Sequence, residues 1–249
     1  MADPRDCTCK CTCGARPEWA PDAVHPEEIL PEVPAVAGMT ADAFFFDTVR
    51  PLFGGTLNQY QVDGMNQIVA YAAEWGYSKL HTAYILATAF HESAHWMQPI
   101  REGARRFGPE YTDAQAKRAV ASIHAKGIIS RNYALPAGPH RQSYYGRGLV
   151  QITWYDNYLK FENLLKKPLT QNPDLALEWP VALDILFLGM RDGMFRRGRS
   201  LSMIQSVADY KAARDIVNGD GHKKWGGPDR IDDRMARHAR TFLAALKGE

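Results

Sequence analysis

Cysteine is absent from all but the first 13 residues of this 249-residue chain, where Cys7, Cys9, Cys11 and Cys13 alternate with other residues. Disulfide bonds therefore cannot hold the body of the chain together. The alternating spacing departs from the two to four residues that separate paired ligands in most zinc sites. A flexible or disulfide-paired tail and a bound metal are both open interpretations of this run, and the spacing favours the tail.

A strong charge of either sign and a long apolar run are also lacking. The formal net charge is +2, which excludes the basic excess that is typical of nucleic-acid-binding proteins. No apolar run is long enough to span a bilayer, and the first residues, MADPRDCTCK, lack the basic start and apolar stretch of a secretory signal. We therefore expect no nucleic-acid partner and no membrane insertion, and we predict a monomer.

Prolines divide the chain into two parts. Five of them, at positions 17, 21, 26, 31 and 34, interrupt residues 1–38 and prevent long regular elements there. This Cys- and Pro-rich stretch is predicted to be an arm or linker. The remaining residues, 39–249, are numerous enough for one domain with a substantial apolar core.

Helical periodicity dominates residues 39–249. Thr40 and Ser78 are predicted N-caps. The helix after Ser78 is apolar around most of its circumference, which predicts a central position. The predicted helices span residues 41–53, 58–75, 79–97, 113–126, 155–166, 180–195, 202–217 and 232–246. Residues 148–154, GLVQITW, alternate in the manner of a short strand. We predict a mainly α, two-lobed domain with a small β hairpin or sheet beside a cleft.

His91 and Glu92 lie in the sequence HESAH, near the end of the predicted central helix, and three interpretations are open. H-E-x-x-H on a helix is the zinc-peptidase arrangement, with His91 and His95 as ligands and Glu92 as base. Alternatively, Glu92 is a glycosidase carboxylate that apolar neighbours keep protonated, as a general acid requires. The third interpretation is that both histidines make ordinary hydrogen bonds on a helix face.

Two further segments carry candidate groups. Glu102 follows Pro99, which directs the chain out of the helix and back over the predicted cleft, although a Glu beside several arginines is more often a solvated charge. The segment 144–158, YYGRGLVQITWYDNY, combines aromatic, amide and hydroxyl groups, and Gln151 and Thr153 would share one face of a strand. Such a surface suits a sugar, although a tyrosine-rich core hairpin would have the same composition.

The order of four motifs resembles a known family. ATAFHES, QPIREG, YYGRGLVQITWYDNY and ARDIVNG closely resemble, in the same order, the family 19 chitinases and the related phage and prophage endolysins. The resemblance covers residues 44–246 and implies a lysozyme-like glycoside hydrolase domain over residues 39–249. The lack of disulfides in this body makes it more similar to the bacterial and phage branch than to the plant enzymes. His95 and the N-terminal arm lie outside the family pattern.

The resemblance implies a role for each matching residue. Glu92 is the general acid, Glu102 is the best match for the base that activates water, and the Thr153 hydroxyl helps to hold that water. The amides hold the N-acetylated sugar. The full set of predicted substrate-binding residues is His91, Tyr145, Arg147, Gln151, Asn157 and Asn218.

The implied reaction is an inverting, endo-acting hydrolysis of β-1,4 bonds between N-acetylated amino sugars, without a metal or another cofactor. Inverting enzymes hold the two carboxyl groups ~6.5–9.5 Å apart to admit a water. Peptidoglycan is the preferred substrate and chitin the alternative, because both contain N-acetylglucosamine. A zinc peptidase is the less favoured alternative. We expect synthesis in a host bacterial cytoplasm without a signal peptide and action on the cell wall after release by other machinery.

Overall fold

The structure, a computed structural model, describes residues 39–224 and 227–247. The described residues belong to one compact unit. The predicted arm, residues 1–38, and its four cysteines lie outside the described residues. Among the helices of the described part, none is both long and apolar enough to cross a membrane.

The described residues form a mainly helical fold with a very small sheet, as predicted. The α-helices are α1 (Ala43–Val49), α2 (Gln59–Glu74), α3 (Lys79–Glu92), α4 (Asp113–Ala125), α5 (Tyr155–Leu165), α6 (Trp179–Arg191) and α7 (Ile231–Lys247). Two antiparallel strands, β1 (Ile100–Arg101) and β2 (Arg147–Gly148), pair Ile100 with Gly148 and Arg101 with Arg147. Short 3₁₀ turns connect many of these elements.

Side-chain caps fix where several helices begin. Asn58 caps α2 by accepting a hydrogen bond from the Gln61 N–H, while the Gln61 side chain accepts one from the Asn58 N–H. Thr112 and Gln115 form the same reciprocal pair at the start of α4. Each pair satisfies two N–H groups that have no partner within the helix. The first helix begins later than predicted, because Asp42 rather than Thr40 is its N-cap.

Helix α3 is the centre of the core, as its apolar circumference predicted. Every residue from position 82 to position 90 is buried. The two buried threonines donate their hydroxyl protons one turn back, Thr82 to the Ser78 carbonyl and Thr88 to the Tyr84 carbonyl, each at 2.9 Å. Helix α7 packs along α3, and burial of each large apolar side chain at this contact contributes about 1.5–3 kcal/mol. The end of α3 is therefore rigidly placed.

Gly64 allows α2 to touch the chain that leaves α3. A Cβ atom at this position would lie 1.7 Å from the Met97 carbonyl oxygen, so no larger residue fits here. Met97 itself is fully buried. This contact holds the segment between α3 and β1, and it thereby helps to set where the chain enters β1 ahead of Glu102.

Two segments lack the secondary structure that the sequence predicts for them. Residues 148–154 do not form a strand, because Gln151 (φ 54°) and Trp154 (φ 77°) have left-handed backbone; only Arg147 and Gly148 pair with β1, and Arg147 forms a bridge with Ile152. Residues 202–217 do not form an α-helix. The Asp209 side chain accepts hydrogen bonds from the N–H groups of Gln205 and Ser206, which holds a turn there instead.

A histidine on α7 is expected to make the fold sensitive to acid. His238 contacts the edge of the Phe90 ring, and burial, followed by the nearby histidines and arginines, lowers its pKa to about 4. The folded state therefore favours neutral His238. Its contribution to stability is complete above the unfolded pKa of about 6.5 and is lost as the pH falls towards 4.

We expect His238→Gln to be more stable than the wild type at pH 4, by roughly 1–3 kcal/mol relative to their difference at pH 7. Urea unfolding at both pH values measures this difference. His124→Gln is the matched control, because His124 is exposed on α4, and it should shift stability equally at both pH values. Equal pH dependence in the wild type and His238→Gln would contradict the assignment.

Candidate active site

Glu92 is the last residue of α3, and an arginine holds its carboxylate. Its side chain is only 16% exposed, and Arg214 Nη1 donates to Oε1 at 2.6 Å. The sequence predicts apolar neighbours around the Glu92 carboxyl group. Two of them, Phe90 and Met97, are buried, but they belong to the hydrophobic core. The charge-assisted hydrogen bond to Arg214 is the contact that orients the carboxylate.

Arg214 links Glu92 to a second carboxylate. It lies in the 3₁₀ turn Ala212–Ile216, is 3% exposed, and donates from Nε and Nη2 to the two oxygens of Asp220 at 2.7 and 3.2 Å. Burial alone would lower the pKa of Arg214, but Glu92 and Asp220 more than offset this and raise it. Burial would raise the pKa of Asp220, which the hydrogen bonds and charge of Arg214 instead hold below its usual range. The arginine is therefore a permanent charge between two carboxylates.

Glu102, the predicted base, is held by neutral donors. Tyr133 Oη donates to Oε1 at 2.6 Å, and the Gly146 N–H donates to Oε2 at 2.9 Å. Burial, followed by the hydrogen bond to Glu102, raises the pKa of Tyr133, so the phenol keeps its proton and acts as the donor. The Glu102 N–H in turn donates to the Gly146 carbonyl at 2.7 Å. Glu102 is thus fixed through both its backbone and its side chain.

The glycine of the YYGRG motif at position 146 makes room for this arrangement. A Cβ atom there would lie 3.2 Å from Glu102 Oε2 and 2.9 Å from Gln151 Oε1. The absence of a side chain therefore lets Glu102 and Gln151 approach the same stretch of backbone. The two side chains lie next to each other around this glycine.

Gln151, Thr153 and Asn157 form a chain of hydrogen bonds beside Glu102. Gln151 Nε2 donates to the carbonyls of Ile100 and Gly148, both at 2.9 Å, and so ties the tight turn after β2 to β1. Thr153 Oγ1 donates to the Gln151 carbonyl at 2.9 Å, and Asn157 Nδ2 donates to the Thr153 carbonyl at 2.7 Å. The Thr153 oxygen, having used its proton, can only accept a further hydrogen bond.

Tyr145 and Arg147 lie behind this surface. Tyr145 is fully buried, its hydroxyl donates to Asp113 at 2.8 Å, and the Arg147 guanidinium stacks on its ring at 3.7 Å. Arg147 is 3% exposed and donates to Asp174, which also accepts from Arg101. Direct contact with a substrate, as the sequence predicts for Tyr145 and Arg147, would require these side chains to leave their partners. Their contacts instead brace the sheet that carries Glu102.

His91 and Asn218 are the remaining two predicted substrate-binding residues. His91 precedes Glu92, and its pKa is lowered, mainly by burial, so its imidazole is neutral at neutral pH. Asn218 is exposed, and its N–H donates to the Arg214 carbonyl at 3.1 Å. Both residues are therefore close to the Glu92–Arg214 pair.

His91 and His95 do not form the helical zinc-peptidase arrangement. Helix α3 ends at Glu92, and Ala94 (φ 50°) and His95 (φ 73°) have left-handed backbone, so the two histidines do not occupy one helix face. His95 stacks on the Phe90 ring at 4.0 Å. Within residues 39–224 and 227–247, no three His, Cys, Asp or Glu side chains are grouped as a metal site requires. The geometry therefore favours the interpretation of Glu92 as a glycosidase carboxylate over a zinc peptidase.

The sequence did not single out several residues that form this site. Arg214 lies within the quoted ARDIVNG motif, but nothing local indicates that it reaches Glu92, 122 positions away. Asp220 follows that motif directly. Tyr133 lies in a polar loop, and the neighbouring sequence does not indicate which residue its hydroxyl binds. Only the folded chain brings these side chains to the two glutamates.

Known structures with a similar fold are chitinases. A chitinase C with a Glu-to-Gln substitution aligns at 20% identity and a TM-score of 0.51, covering 84% of this chain and 93% of its own. Chitinase C from Streptomyces griseus aligns at 20% identity and a TM-score of 0.50, and the alignment covers 85% of this chain and 78% of that chitinase. No protein-family model and no curated protein matches the sequence. At this identity the likeness establishes the fold alone.

Proposed function

We propose that this protein is an inverting, endo-acting glycoside hydrolase that cleaves β-1,4 bonds between N-acetylated amino sugars. The observation that carries the proposal is the pair of oriented carboxylates, Glu92 on Arg214 and Glu102 on Tyr133 and Gly146. The two glutamates differ in environment, since Glu92 is bound by a buried guanidinium and Glu102 by two neutral donors, and a pair of carboxyl groups is what hydrolysis of a glycosidic bond uses. The fold shared with two chitinase C structures also supports this class of reaction.

Glu92 is the proton donor in this mechanism. Arg214 occupies Oε1, which leaves Oε2 to carry the proton towards the leaving oxygen. When the proton moves to the leaving group, Glu92 becomes a carboxylate, and the nearby guanidinium stabilises that charge.

Glu102 removes a proton from the attacking water. The Thr153 hydroxyl has donated its proton to the Gln151 carbonyl, so its oxygen accepts a hydrogen bond from that water. A water that donates one proton to Thr153 and the other to Glu102 directs its lone pair at the anomeric carbon. The product then has inverted configuration, and no covalent intermediate forms.

Peptidoglycan is the proposed polymer. Its glycan carries lactyl and peptide carboxylates, and two exposed arginines, Arg105 and Arg106, follow Glu102 closely in the chain. Exposed cationic side chains attract an anionic polymer. The resemblance of the motifs to phage and prophage endolysins supports the same choice. Chitin is the second candidate, which the names of the two chitinase C neighbours favour.

Digestion of two substrates in parallel tests this function. Purified protein is incubated with peptidoglycan sacculi and with the hexamer of N-acetylglucosamine, and the fragments are analysed by mass spectrometry. We expect disaccharide-repeat fragments from sacculi, faster than hexamer cleavage, and inverted anomers in early NMR spectra of the products. Faster hexamer cleavage would favour the chitinase. Retained configuration would contradict the roles of the two glutamates, and no cleavage of either polymer would contradict the proposed function.

A further inference from the structure

A hairpin with three arginines lies beside the loop that carries Asn218. Residues 195–199, FRRGR, form this arginine hairpin. Arg196 and Arg199 pair across a tight turn, in which the Arg199 N–H donates to the Arg196 carbonyl at 3.0 Å. Gly198 has left-handed backbone (φ 71°), which glycine adopts without cost, so the sequence is suited to this turn.

Phe195 anchors the arginine hairpin to the core. Its ring packs against the Phe161 ring at 5.6 Å and covers Gly189 of α6, where a Cβ atom would lie 2.4 Å from it. The Met194 N–H donates to the Gly189 carbonyl at 3.0 Å. The base of the hairpin is therefore fixed before any ligand binds, which lowers the entropy cost of binding.

The arginine hairpin also contacts the turn that carries Arg214. Arg196 Nη1 donates to the Asp215 carboxylate at 2.8 Å. The same guanidinium lies over Gly219, where a Cβ atom would be 3.0 Å from Nη1. Asp215 follows Arg214 in the chain, and Gly219 follows Asn218. The hairpin is thus next to the arginine that holds the proton donor and next to a predicted substrate-binding residue.

A pocket with a volume of about 440 Å³ lies at this junction. Asp215 and Gly219, which contact the arginine hairpin, form part of its wall, and so does Arg214. The volume is within the ~300–1,000 Å³ that is typical of pockets for small ligands. The charged side chains of the wall are those of Lys211, Arg214, Asp215, Arg230 and Asp232.

The cations of the pocket wall are already paired. Lys211 pairs with Asp233 at 2.7 Å, and Arg230 pairs with Asp232 at 2.5 Å. Arg214 is held between two carboxylates. The wall itself therefore has little positive charge left for a ligand.

The arginine hairpin, in contrast, has more positive charge than its neighbours neutralise. Asp215 accepts its hydrogen bond from Arg196, and it lies 3.9 Å from Arg199, beyond hydrogen-bonding distance. Arg197 is exposed. Within the part of the chain that the structure describes, no group accepts a hydrogen bond from the guanidinium of Arg197 or Arg199. Two arginines are thus available for an anionic ligand.

We propose that Arg197 and Arg199 bind a carboxylate of the peptidoglycan stem peptide, and that the adjoining pocket holds the part of the peptide that carries it. A guanidinium binds a carboxylate through two parallel N–H···O bonds. Stem peptides carry free carboxylates and chitin has none, so this site makes the enzyme prefer peptidoglycan. The inference rests on the proposed function, because it explains how the proposed polymer is distinguished from chitin.

Binding without turnover tests this site. All proteins carry Glu92→Gln, and Kd for peptidoglycan sacculi is measured by sedimentation at an ionic strength of about 0.15 M, where distant charges are screened. We expect the Arg197→Gln, Arg199→Gln variant to raise Kd about 10-fold, the effect of losing a hydrogen bond to a charged group. Because both side chains are exposed, the melting temperature should not change.

Two variants control for net charge and for geometry. Arg118→Gln, Lys126→Gln removes the same charge from exposed positions on and just after α4, and its Kd should change less than about 2-fold. Arg197→Lys, Arg199→Lys keeps the charge but not the paired donors, so its Kd should lie between those of the parent and the glutamine variant. Equal Kd values for the two glutamine variants would overturn the proposal.

Chemical modification of the polymer tests what the arginines bind. Sacculi whose carboxylates have been converted to amides should bind the Arg197→Gln, Arg199→Gln protein and its Glu92→Gln parent with similar Kd values. A 10-fold difference that persists on amidated sacculi would show that the arginines bind another group, and it would overturn the proposal. Lack of cleavage of sacculi by the wild type would instead contradict the proposed function, since the binding measurements use inactive protein.

Discussion

Replacing Glu92 by Gln is expected to reduce kcat by about 10²–10⁴-fold while leaving the protein folded. An amide has the shape of the carboxyl group, and its oxygen can still accept the hydrogen bond from Arg214, but it has no acidic proton for the leaving group. The buried site keeps its packing, so the melting temperature should change by only a few degrees. Steady-state hydrolysis of peptidoglycan fragments and thermal unfolding measure the two effects.

Glu74→Gln is the control for this substitution. Glu74 is exposed at the end of α2, so the same chemical change there should leave kcat within about 2-fold of the wild type. Activity of Glu92→Gln above about a tenth of the wild type would exclude Glu92 as the proton donor. A large fall in melting temperature would show instead that the Glu92 charge is needed for folding.

Local sequence patterns predicted the parts of this fold that local chemistry determines. Ser78 was predicted to be an N-cap and Asn58 to begin a helix, and both accept the hydrogen bonds that N-cap residues form. The central position of α3 followed from its apolar circumference, since a helix without a polar face has to be buried. These features depend on residues within a few positions of each other.

The errors arise where backbone conformation or distant contacts override local preference. Polar and apolar residues alternate over residues 148–154, which suggests a strand. However, the chain turns at Gln151, whose side-chain amide donates to the carbonyl groups of Ile100 and Gly148. Helix α3 was predicted to continue to residue 97 and ends at Glu92, where the next residues change to left-handed backbone. Apolar periodicity carries no information about such a change.

The candidate site was predictable only in part for the same reason. The two glutamates and Thr153 lie in motifs that the sequence displays, whereas the groups that orient them are remote in the chain. Arg214 is 122 positions from Glu92, and Tyr133 is 31 positions from Glu102. Tertiary packing determines these pairs, so a sequence indicates which carboxylates are candidates but not what holds them.

Replacing Arg214 by Ala is expected to have a large effect on both stability and catalysis. The substitution removes the cation from the largely buried Asp220 carboxylate and the hydrogen-bond donor from Glu92, and breaking a buried ion pair in this way costs about 3–5 kcal/mol. Loss of the donor that orients Glu92 should lower kcat about 10²–10³-fold, as removal of a preorganised donor does elsewhere. Urea unfolding and kinetics well below the melting temperature separate the two effects.

Two further variants make the Arg214 prediction specific. Arg237→Ala removes an arginine that is 53% exposed and paired with Asp229, so it should cost no more than about 1 kcal/mol and leave kcat unchanged. In a Glu92→Gln, Asp220→Asn background, Arg214→Ala should be much less destabilising, because the neighbouring carboxylates no longer carry charge. If Arg214→Ala were as mild as Arg237→Ala, the arginine would not be what holds Glu92. If Arg214→Ala lowered the free energy of unfolding equally in the wild type and in the Glu92→Gln, Asp220→Asn background, the cause would be lost packing of the arginine side chain rather than unpaired charge.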